Sequence, residues 1–310
     1  MKEGLVTKAT GNLFCVADTL GIKINCYIKG NQRIKDLKST NPVTVGDHVL
    51  FEIEDGSQNG IIHEIKSRKN YIIRKSTNWS KQYHVIAANV DQAFLIITLK
   101  EPETNIDFID RYLVSAEAFN IKVIMIFNKY DLYTDDLLIK LKSLKKIYSE
   151  IGYTCLETSA INGMNIEILK DMLKDKITVI NGNSGVGKSK IIKYIDPSIE
   201  IKIGEISAYH KSGMHTTSYT EMYQLQSGGY IIDTPGIKAF GLIDFYKEEL
   251  YHYYPEIFKI SHECKFHNCS HIHEPGCAVI RELEQGRIAF SRYNSYSKLF
   301  HDKNEKYRIE

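Results

Sequence analysis

The chain has 310 residues, of which 43% are hydrophobic and 25% charged, and its formal net charge is +2 at pH 7. This length allows two or three domains with cores of their own, and the composition is that of a soluble globular protein. A charge so near balance excludes a polycation, so a nucleic-acid partner would have to be bound by local patches. The sequence has neither a signal-peptide core nor a run of about eighteen apolar residues, so we expect a cytoplasmic protein that does not enter a membrane.

Residues 1–67 are predicted to form a small β-barrel. Short strand-like segments separated by turn residues follow one another there, namely GLVTKAT, LFCVAD, IKINCYIKG, VGDHVLFEIED and GIIHEIK. Strands at this spacing favour a five-stranded barrel of the oligonucleotide-binding (OB) type, and other small barrels fit the pattern nearly as well. The basic and aromatic run after them, from Arg68 to Trp79, is compatible with an RNA contact and equally with an interdomain linker.

Residues 70–240 are predicted to form an α/β domain, and residues 241–310 a mainly helical one. In the central part, the apolar strands AFLIITL, KVIMIF, ITVIN and YIID alternate with the amphipathic helices DFIDRYLVSAEAFN, DLLIKLKSLKKIYSEIG and NIEILKDMLKDK. Strands that are apolar on both faces and separated by helices imply a parallel sheet covered on both sides.

The first motif of this domain predicts recognition of guanine. It is NKYD, which comprises Asn128, Lys129, Tyr130 and Asp131 and follows the strand KVIMIF. The Asp131 carboxylate can accept hydrogen bonds from N1–H and the N2 amino group of guanine, whereas adenine would leave it unpaired. Unpaired polar groups in a confined site give large discrimination between ligands. We expect Asn128 to bond the base edge and the Lys129 stem to cover the face of the base.

A second base-reading segment is predicted one helix further on, in TSAING from Thr158 to Gly163. Ser159 and Ala160 are candidates to offer backbone N–H groups to guanine O6. A Ser-Ala dipeptide alone carries little information. Its spacing from NKYD, however, places the two segments at the ends of neighbouring strands, and together they predict a guanine pocket.

A phosphate-binding loop follows, with the pattern G-x-x-x-x-G-K-S between a strand and a helix. Successive backbone N–H groups of such a loop point at the β-phosphate, assisted by the helix N-terminus. Lys188 is predicted to contact the β- and γ-phosphates as a catalytic group, the Ser189 hydroxyl to bind Mg²⁺, and the Lys190 N–H to lie near the α-phosphate. The predicted contact residues are Gly182, Asn183, Ser184, Gly185, Val186, Gly187, Lys188, Ser189 and Lys190.

The segment IIDTPG, from Ile231 to Gly236, ends another apolar strand and is predicted to be switch II. Asp233 is placed to hold Mg²⁺ through water, and the Gly236 N–H to sense the γ-phosphate. The next residue is Ile237, where many GTPases carry a glutamine that orients the attacking water. Isoleucine cannot do this, so slow intrinsic hydrolysis or a replacement group is expected.

Upstream, MHTTSY lies in a polar stretch that is predicted to be the mobile switch I. Thr216 or Thr217 could bind Mg²⁺ and the γ-phosphate, and the sequence does not distinguish them. His215 beside them is the nearest candidate for orienting water, although a solvated loop histidine fits as well.

These five elements run in the order base, base, phosphate, switch I, switch II, whereas an ordinary GTPase places the phosphate loop first. The order is a circular permutation, which a site can survive because domain termini often lie close together. The chain then passes from Gly236 directly into the C-terminal segment. A nucleotide-driven movement of switch II is therefore expected to act on the next domain through the chain itself.

The segment HECKFHNCSHIHEPGC predicts a closed structural metal site of three thiolates and one imidazole. Its thiol ligands are Cys264, Cys269 and Cys277, and the candidates for the imidazole are His262, His267, His271 and His273, of which His271 is preferred. The other cysteines, Cys15, Cys26 and Cys155, are scattered in apolar strand-like segments and are expected to be free thiols.

The N-terminal strands, the permuted motifs and the Cys-x4-Cys-x-His-x5-Cys spacing together resemble the ribosome small subunit-dependent GTPase A family over essentially the whole chain. The resemblance implies an OB barrel, a permuted GTPase domain that binds Mg²⁺ with GTP, and a helical domain with one structural Zn²⁺. It implies late maturation of the 30S subunit, contact with 16S rRNA, and GTP hydrolysis that the subunit stimulates. It also places the imidazole ligand at His271 and matches His215, Thr216 and Thr217, which favours His215 as the catalytic histidine. We expect a monomer.

Two other functions are compatible with parts of the sequence. One is an RNA-binding adaptor with a catalytically weak guanine-nucleotide site, suggested by Ile237 and by Lys190, which stands where Ser or Thr is common. The other is an ATP-dependent kinase or ATPase built on the same phosphate loop, which a nucleotide competition assay would distinguish.

Overall fold

The computed structural model describes residues 1–28, 42–54, 56–75, 83–199, 221–233 and 247–302. The strands in these ranges are β1 Lys2–Thr10, β2 Leu13–Asp18, β3 Lys23–Ile28, β4 His48–Ile53, β5 Gly60–Ile65, β6 Tyr71–Lys75, β7 Tyr83–Ala88, β8 Gln92–Ile97, β9 Lys122–Phe127, β10 Thr154–Glu157, β11 Ile177–Asn181, β12 Glu221–Gln224 and β13 Tyr230–Asp233. The helices are α1 Ile106–Ala118, α2 Asp135–Ile151, α3 Ile166–Leu173, α4 Lys188–Ile195, α5 Pro255–Ser261, α6 Ala278–Glu284 and α7 Phe290–His301, with 3₁₀ helices at Tyr130–Leu132 and Lys247–Tyr253.

The first five strands close into a barrel. They are joined in the order β1-β2-β3-β5-β4, and β4 pairs again with β1. Alternate side chains point inward and form one apolar core, which includes Val6, Phe14, Val16, Ile24, Cys26, Val49, Phe51 and Ile62. The predicted five-stranded barrel is confirmed.

The central domain is built on a parallel sheet in the order β10-β9-β8-β11-β13, with β12 antiparallel to β13 at one end. Every residue of β8 is buried, because helices cover both faces of the sheet. On one face Leu95 and Ile97 pack with helices α1 and α2, and on the other Phe94 and Ile96 pack with α3 and α4. The predicted doubly covered parallel sheet is confirmed. Among the described residues, no helix combines the length and the apolar character needed to cross a bilayer.

The barrel and the central sheet are continuous. Lys8 of β1 lies opposite Glu221 of β12, and its Nζ is 3.1 Å from the Glu221 carboxylate. The junction is reinforced by the buried Arg68, whose Nε donates to Asp47 Oδ1 at 2.6 Å. Lys69 N and Asn70 Nδ2 donate to Asn89 Oδ1 and Val90 O, respectively. The start of the basic run is therefore bonded to the segment before β4 and to the segment between β7 and β8, and its contact with RNA stays untested.

A hairpin formed by β6 and β7 was not expected from the sequence. Its strands pair antiparallel with each other in a separate two-stranded sheet. Part of the basic run from Arg68 to Trp79 forms β6, and residues 76–82 lie outside the described part. Strand β6 is short and ends in Arg74 and Lys75, so no clear alternation of apolar and polar residues marks it in the sequence.

The C-terminal helices pack on the central domain through a buried ionic network. Arg292 of α7 has a relative exposure of 0%, and its Nη1 donates to Asp110 Oδ1 of α1 at 2.6 Å. Its Nε donates to Glu256 Oε1 of α5 at 2.7 Å, and the Tyr254 ring lies 4.5 Å from its guanidinium carbon. Tyr148 of α2 donates to the same Asp110 oxygen at 2.8 Å. The two carboxylates raise the pKa of Arg292, which therefore stays charged despite its burial.

Replacing Arg292 by Met is expected to lower the free energy of unfolding by about 3–5 kcal/mol, because Asp110 and Glu256 would then be buried without a counter-charge. Arg281→Met is the matched control, since the Arg281–Glu263 pair is half exposed at 49% and 50% and such pairs contribute at most about 1 kcal/mol. Urea unfolding followed by circular dichroism measures both. Equal losses in the two variants would contradict the assigned role of the network.

Candidate functional site

The phosphate loop connects β11 to α4, with Gly187 at the N-terminal cap of the helix. Gly182 and Gly187 have φ angles of 147° and 98°, which residues other than glycine rarely adopt. A Cβ on Gly182 would lie 2.5 Å from Ile96 O, and one on Gly187 would lie 2.4 Å from Asn128 Nδ2. Glycine is therefore required at both positions, by conformation and by space.

Lys188 folds back over the loop that precedes it. Its Nζ donates to Gly182 O at 2.6 Å and to Asn183 O at 2.9 Å. The ammonium group thus lies at the mouth of the loop, beside the first turn of α4. Ser189 is half-buried in that turn and Lys190 is exposed. A positive charge next to a helix N-terminus is suited to binding an anion such as phosphate.

Asn128 connects the predicted base-reading segments to the phosphate loop. It follows β9, which runs parallel to β10, so Asn128 and Thr158 leave the sheet at the same edge. Its Nδ2 donates to Val186 O at 2.8 Å, and its Oδ1 accepts from Thr158 Oγ1 and Ala160 N, both at 3.2 Å. The side chain is 1% exposed. These three hydrogen bonds join the Asn128 amide to the protein itself, so a bond from Asn128 to the base edge stays a prediction.

The rest of NKYD lies beside Asn128 in a tight turn. Lys129 adopts the left-handed conformation, with φ 64° and ψ 36°, and its Nζ donates to Glu101 O. Asp131 is exposed, and its carboxylate accepts a hydrogen bond from the buried Ser159 hydroxyl. Tyr130, half-buried, begins the 3₁₀ helix between them. The structure thus brings together the two predicted base-reading segments and the phosphate loop.

A loop that the sequence reasoning missed forms another wall of this site. It is the segment 98–104, which follows β8, and we call it the β8 loop. Its ends are closed by Thr98 N donating to Thr104 Oγ1 at 3.0 Å and Thr104 N donating to Thr98 O at 2.7 Å. Pro102 packs on the phosphate loop, since a Cβ on Gly185 would lie 3.2 Å from its Cδ. The position of the β8 loop could have been predicted, because β8 is parallel to β9 and the loops after both strands therefore lie at the same edge of the sheet.

The switch residues are mostly outside the described part of the chain. This holds for His215, Thr216 and Thr217 of switch I and for Gly236 and Ile237 of switch II. The backbone of Asp233 ends β13 and pairs in parallel with β11, which places it at the same edge of the sheet as the phosphate loop.

The predicted metal ligands form a cluster that could hold a metal ion. The four ligand atoms, from Cys264, Cys269, His271 and Cys277, lie within 4.8 Å of one another. Cys264 Sγ is 3.9 Å from Cys277 Sγ and 3.5 Å from His271 Nδ1. Tetrahedral zinc with Zn–S bonds of about 2.3 Å would hold sulfur atoms about 3.8 Å apart. Among the described residues, His271 is the histidine that joins the cluster, in preference to His262, His267 and His273.

The electrostatics of the cluster also fit a metal. Burial raises the pKa of the Cys269 and Cys277 thiols, so their thiolates need a positive charge close by. Burial lowers the pKa of His271, which keeps the imidazole neutral and able to act as a ligand. The Ala278 N–H donates to Cys264 Sγ at 3.3 Å, which fixes the orientation of that sulfur. The remaining cysteines, Cys15, Cys26 and Cys155, are free.

Comparison with known proteins gives the same architecture. A family model described as RsgA GTPase matches residues 65–243, and one described as RsgA N-terminal domain matches residues 3–62. "Small ribosomal subunit biogenesis GTPase RsgA 2" of Bacteroides thetaiotaomicron is 51% identical over 308 residues, which cover 99% of each chain. The relative named "Small ribosomal subunit biogenesis GTPase RsgA" from Christiangramia forsetii is 47% identical and covers 99% of this chain and 98% of its own.

Two solved structures are similar over nearly the whole chain. YjeQ from Thermotoga maritima has a TM-score of 0.80 and 36% sequence identity, covering 96% of this chain and 97% of its own. YloQ, described as a circularly permuted GTPase, has a TM-score of 0.77 and 31% identity, covering 97% and 94%. The family resemblance expected from the motifs is confirmed, and so is the circular permutation. The chain belongs to the RsgA family of circularly permuted GTPases.

Proposed function

We propose that this chain is a GTP hydrolase that binds the small (30S) ribosomal subunit and assists its late maturation. The observation that carries the proposal is the contact of Asn128 with Val186, which joins the guanine-reading segment to the phosphate loop in one site. Relatives named small ribosomal subunit biogenesis GTPases, which are 51% and 47% identical to this chain over nearly its full length, support the small ribosomal subunit as the partner.

In the proposed site, Asp131 accepts from N1–H and N2 of guanine while its position is fixed by the Ser159 hydroxyl. The Lys129 stem covers the base. The backbone N–H groups of Ser159 and Ala160, which donate to Met164 O and Asn128 Oδ1 in the structure, are the proposed donors to O6 when GTP is bound. These base contacts select GTP over ATP, because adenine would leave the Asp131 carboxylate unpaired.

At the other end, the backbone of the phosphate loop and the Lys188 ammonium neutralise the charge that develops on the phosphates during transfer. Ser189, Asp233 and either Thr216 or Thr217 would hold Mg²⁺, which supplies further charge neutralisation when it is bound. The Gly236 N–H senses the γ-phosphate. His215 orients the attacking water, a task that Ile237 cannot perform.

The C-terminal cluster holds one structural Zn²⁺, since a closed Cys₃His set leaves no open coordination position for catalysis. We divide the chain into an OB barrel at 1–67, a GTPase domain at 70–240 and a zinc domain at 241–310. The barrel and the zinc domain flank the nucleotide site and provide the contacts to 16S rRNA. The protein acts as a cytoplasmic monomer.

The test is steady-state GTP turnover by the full chain with and without purified 30S subunits. We expect the subunits to stimulate turnover, with 50S subunits giving no stimulation as the matched control. A rate unchanged by 30S subunits would overturn the proposal. If the chain bound 30S subunits and GDP but did not hydrolyse GTP even in a single turnover, the RNA-binding adaptor would be the correct function.

Replacing Asp131 by Asn is expected to weaken GDP binding on the order of 10²-fold, because a carboxylate that accepts two hydrogen bonds is replaced by an amide with one acceptor oxygen. Xanthosine diphosphate (XDP) should bind the variant better than it binds the wild-type chain, since its O2 is an acceptor that the new amide can satisfy. Calorimetric titration with both nucleotides measures the exchange. A variant that still prefers GDP to XDP as strongly as the wild-type chain does would contradict this role of Asp131.

A further inference from the structure

One side chain in contact with the nucleotide site has a hydroxyl in an unusual position. Tyr133 follows the 3₁₀ helix of NKYD and is half-buried. Its hydroxyl donates to Asn128 O at 2.7 Å and accepts from Leu99 N of the β8 loop at 3.0 Å. Both backbone partners belong to buried residues, with exposures of 1% for Asn128 and 4% for Leu99. The hydroxyl therefore bridges two buried backbone groups that belong to segments distant from each other in sequence.

The first of these partners controls the conformation of Lys129. Asn128 O is the carbonyl of the peptide between Asn128 and Lys129, and Lys129 is in the left-handed region with φ 64°. A lysine in that region is strained and holds its conformation only where its surroundings fix it. A hydrogen bond to the preceding carbonyl fixes the orientation of that peptide. Tyr133 thereby helps to determine where the Lys129 side chain begins.

The second partner, Leu99 N, belongs to the β8 loop, which also binds the ammonium group of Lys129. Lys129 Nζ donates to Glu101 O, which belongs to the β8 loop. The same loop is closed by Thr98 and Thr104, and it rests on Gly185 of the phosphate loop through Pro102. Tyr133 is therefore bonded to both supports of the lysine stem, the peptide before it and the loop that receives its ammonium group.

We propose that Tyr133 is a positioning residue for the guanine base: its hydroxyl locks the β8 loop onto the Asn128–Lys129 peptide and so holds the Lys129 stem in place for the face of the base. The inference rests on the proposed guanine-nucleotide site. Burial raises the pKa of Tyr133 to about 12, so the hydroxyl keeps its proton and can donate at any physiological pH. The two hydrogen bonds of the Tyr133 hydroxyl, to Asn128 O and from Leu99 N, lie at the base end of the site, so we expect its loss to change nucleotide affinity more than kcat.

Tyr133→Phe keeps the ring and removes the bridging hydroxyl. The expected result is a roughly tenfold rise in Kd, equal for GDP and GTP because both carry the same base, with kcat at saturating GTP unchanged. Tyr153→Phe is the matched control, since Tyr153 is also buried and its hydroxyl donates to Glu117 Oε1 at 2.9 Å away from NKYD. Titration calorimetry gives Kd, turnover gives kcat, and thermal unfolding of the nucleotide-free variants reports stability.

A Tyr133→Phe chain that binds GDP as tightly as the wild-type chain would overturn the inference, and so would an equal loss of affinity in Tyr153→Phe. If Tyr133→Phe does not fold, Thr104→Val removes the acceptor of Thr98 N and so loosens the β8 loop to which Tyr133 is bonded. Unchanged GDP affinity in Thr104→Val would overturn the role assigned to the β8 loop in holding Lys129. A wild-type chain without affinity for GDP would instead overturn the proposed function, and this inference with it.

Discussion

Lys188→Ala is expected to reduce GTP turnover roughly 10³-fold, both alone and on the 30S subunit. The Lys188 ammonium group is held at the mouth of the phosphate loop by hydrogen bonds to Gly182 O and Asn183 O. Negative charge on the transferred phosphoryl group is expected to develop there. Removing one preorganised donor from such a position costs on the order of 10²–10³ in rate. Loss of the Lys188 bonds would also loosen the loop itself, so we place the effect at the upper end.

The matched control is Lys193→Ala, which removes an exposed lysine from the same helix α4. It should leave turnover unchanged, because Lys193 lies in the last turn, away from the phosphate loop. Single-turnover assays with radiolabelled GTP measure both variants. Turnover by Lys188→Ala within tenfold of the wild-type rate would contradict the assignment of this loop.

Removal of the proposed structural Zn²⁺ is expected to have the largest effect on stability. Structural zinc contributes on the order of 10 kcal/mol to the folding of the peptide that holds it, and here it would order residues 264–277. The α5, α6 and α7 helices share a core with two of the ligands, Cys269 and Cys277. Chelation or Cys277→Ser should therefore unfold the C-terminal helices, with loss of bound zinc and of helical circular dichroism.

Cys15→Ser is the control, because Cys15 is a free thiol in strand β2 and lies outside the cluster. It should keep the zinc content and melting temperature of the wild-type chain. Metal analysis and thermal unfolding decide the matter. A Cys277→Ser chain with unchanged zinc content, or a chelated chain with an unchanged melting curve, would contradict a structural metal.

Much of the fold follows from local patterns. Strand β8 is apolar at successive positions, which predicts that both of its faces are buried. The structure places Leu95 in the core on one face and Phe94 in the core on the other. Helices before and after such strands favour a parallel sheet. The site follows as well, because parallel strands end at one edge, so motifs distant in sequence meet there. The Cys and His cluster was predictable for a different reason, because its four candidate ligands lie close together in sequence.

What the sequence did not reveal depends on contacts between distant segments. Nothing in the sequence around Arg292 distinguishes it from a surface arginine of a polar helix. Its bond to Asp110 exists because α7 packs against α1. Tyr133 reads as one of 20 tyrosines, and its role depends on the backbone of the β8 loop. The hairpin of β6 and β7 lacks a clear period. Side-chain contacts across domains leave no periodic trace in a single sequence.

The anchoring of the C-terminal helices also changes the expected mechanics. The sequence order predicts that switch II acts on the C-terminal domain through the chain itself. The buried network of Arg292, Asp110 and Glu256 adds a second connection, directly to α1 of the central domain. A movement at switch II would thus act on a domain that is already held at another point.

The central claim is that Asp131 and Lys188 bind the two ends of the same guanine nucleotide. Calorimetric titration of the full chain with GDP and with ADP tests this claim most directly. We expect one GDP per chain and an affinity for ADP weaker by at least about 10⁴-fold, since adenine leaves the Asp131 carboxylate unpaired. Lys188→Ala and Asp131→Asn should each weaken this one GDP site. Comparable affinities for GDP and ADP would contradict the claim. So would two independent GDP sites, with Lys188→Ala abolishing one and Asp131→Asn the other.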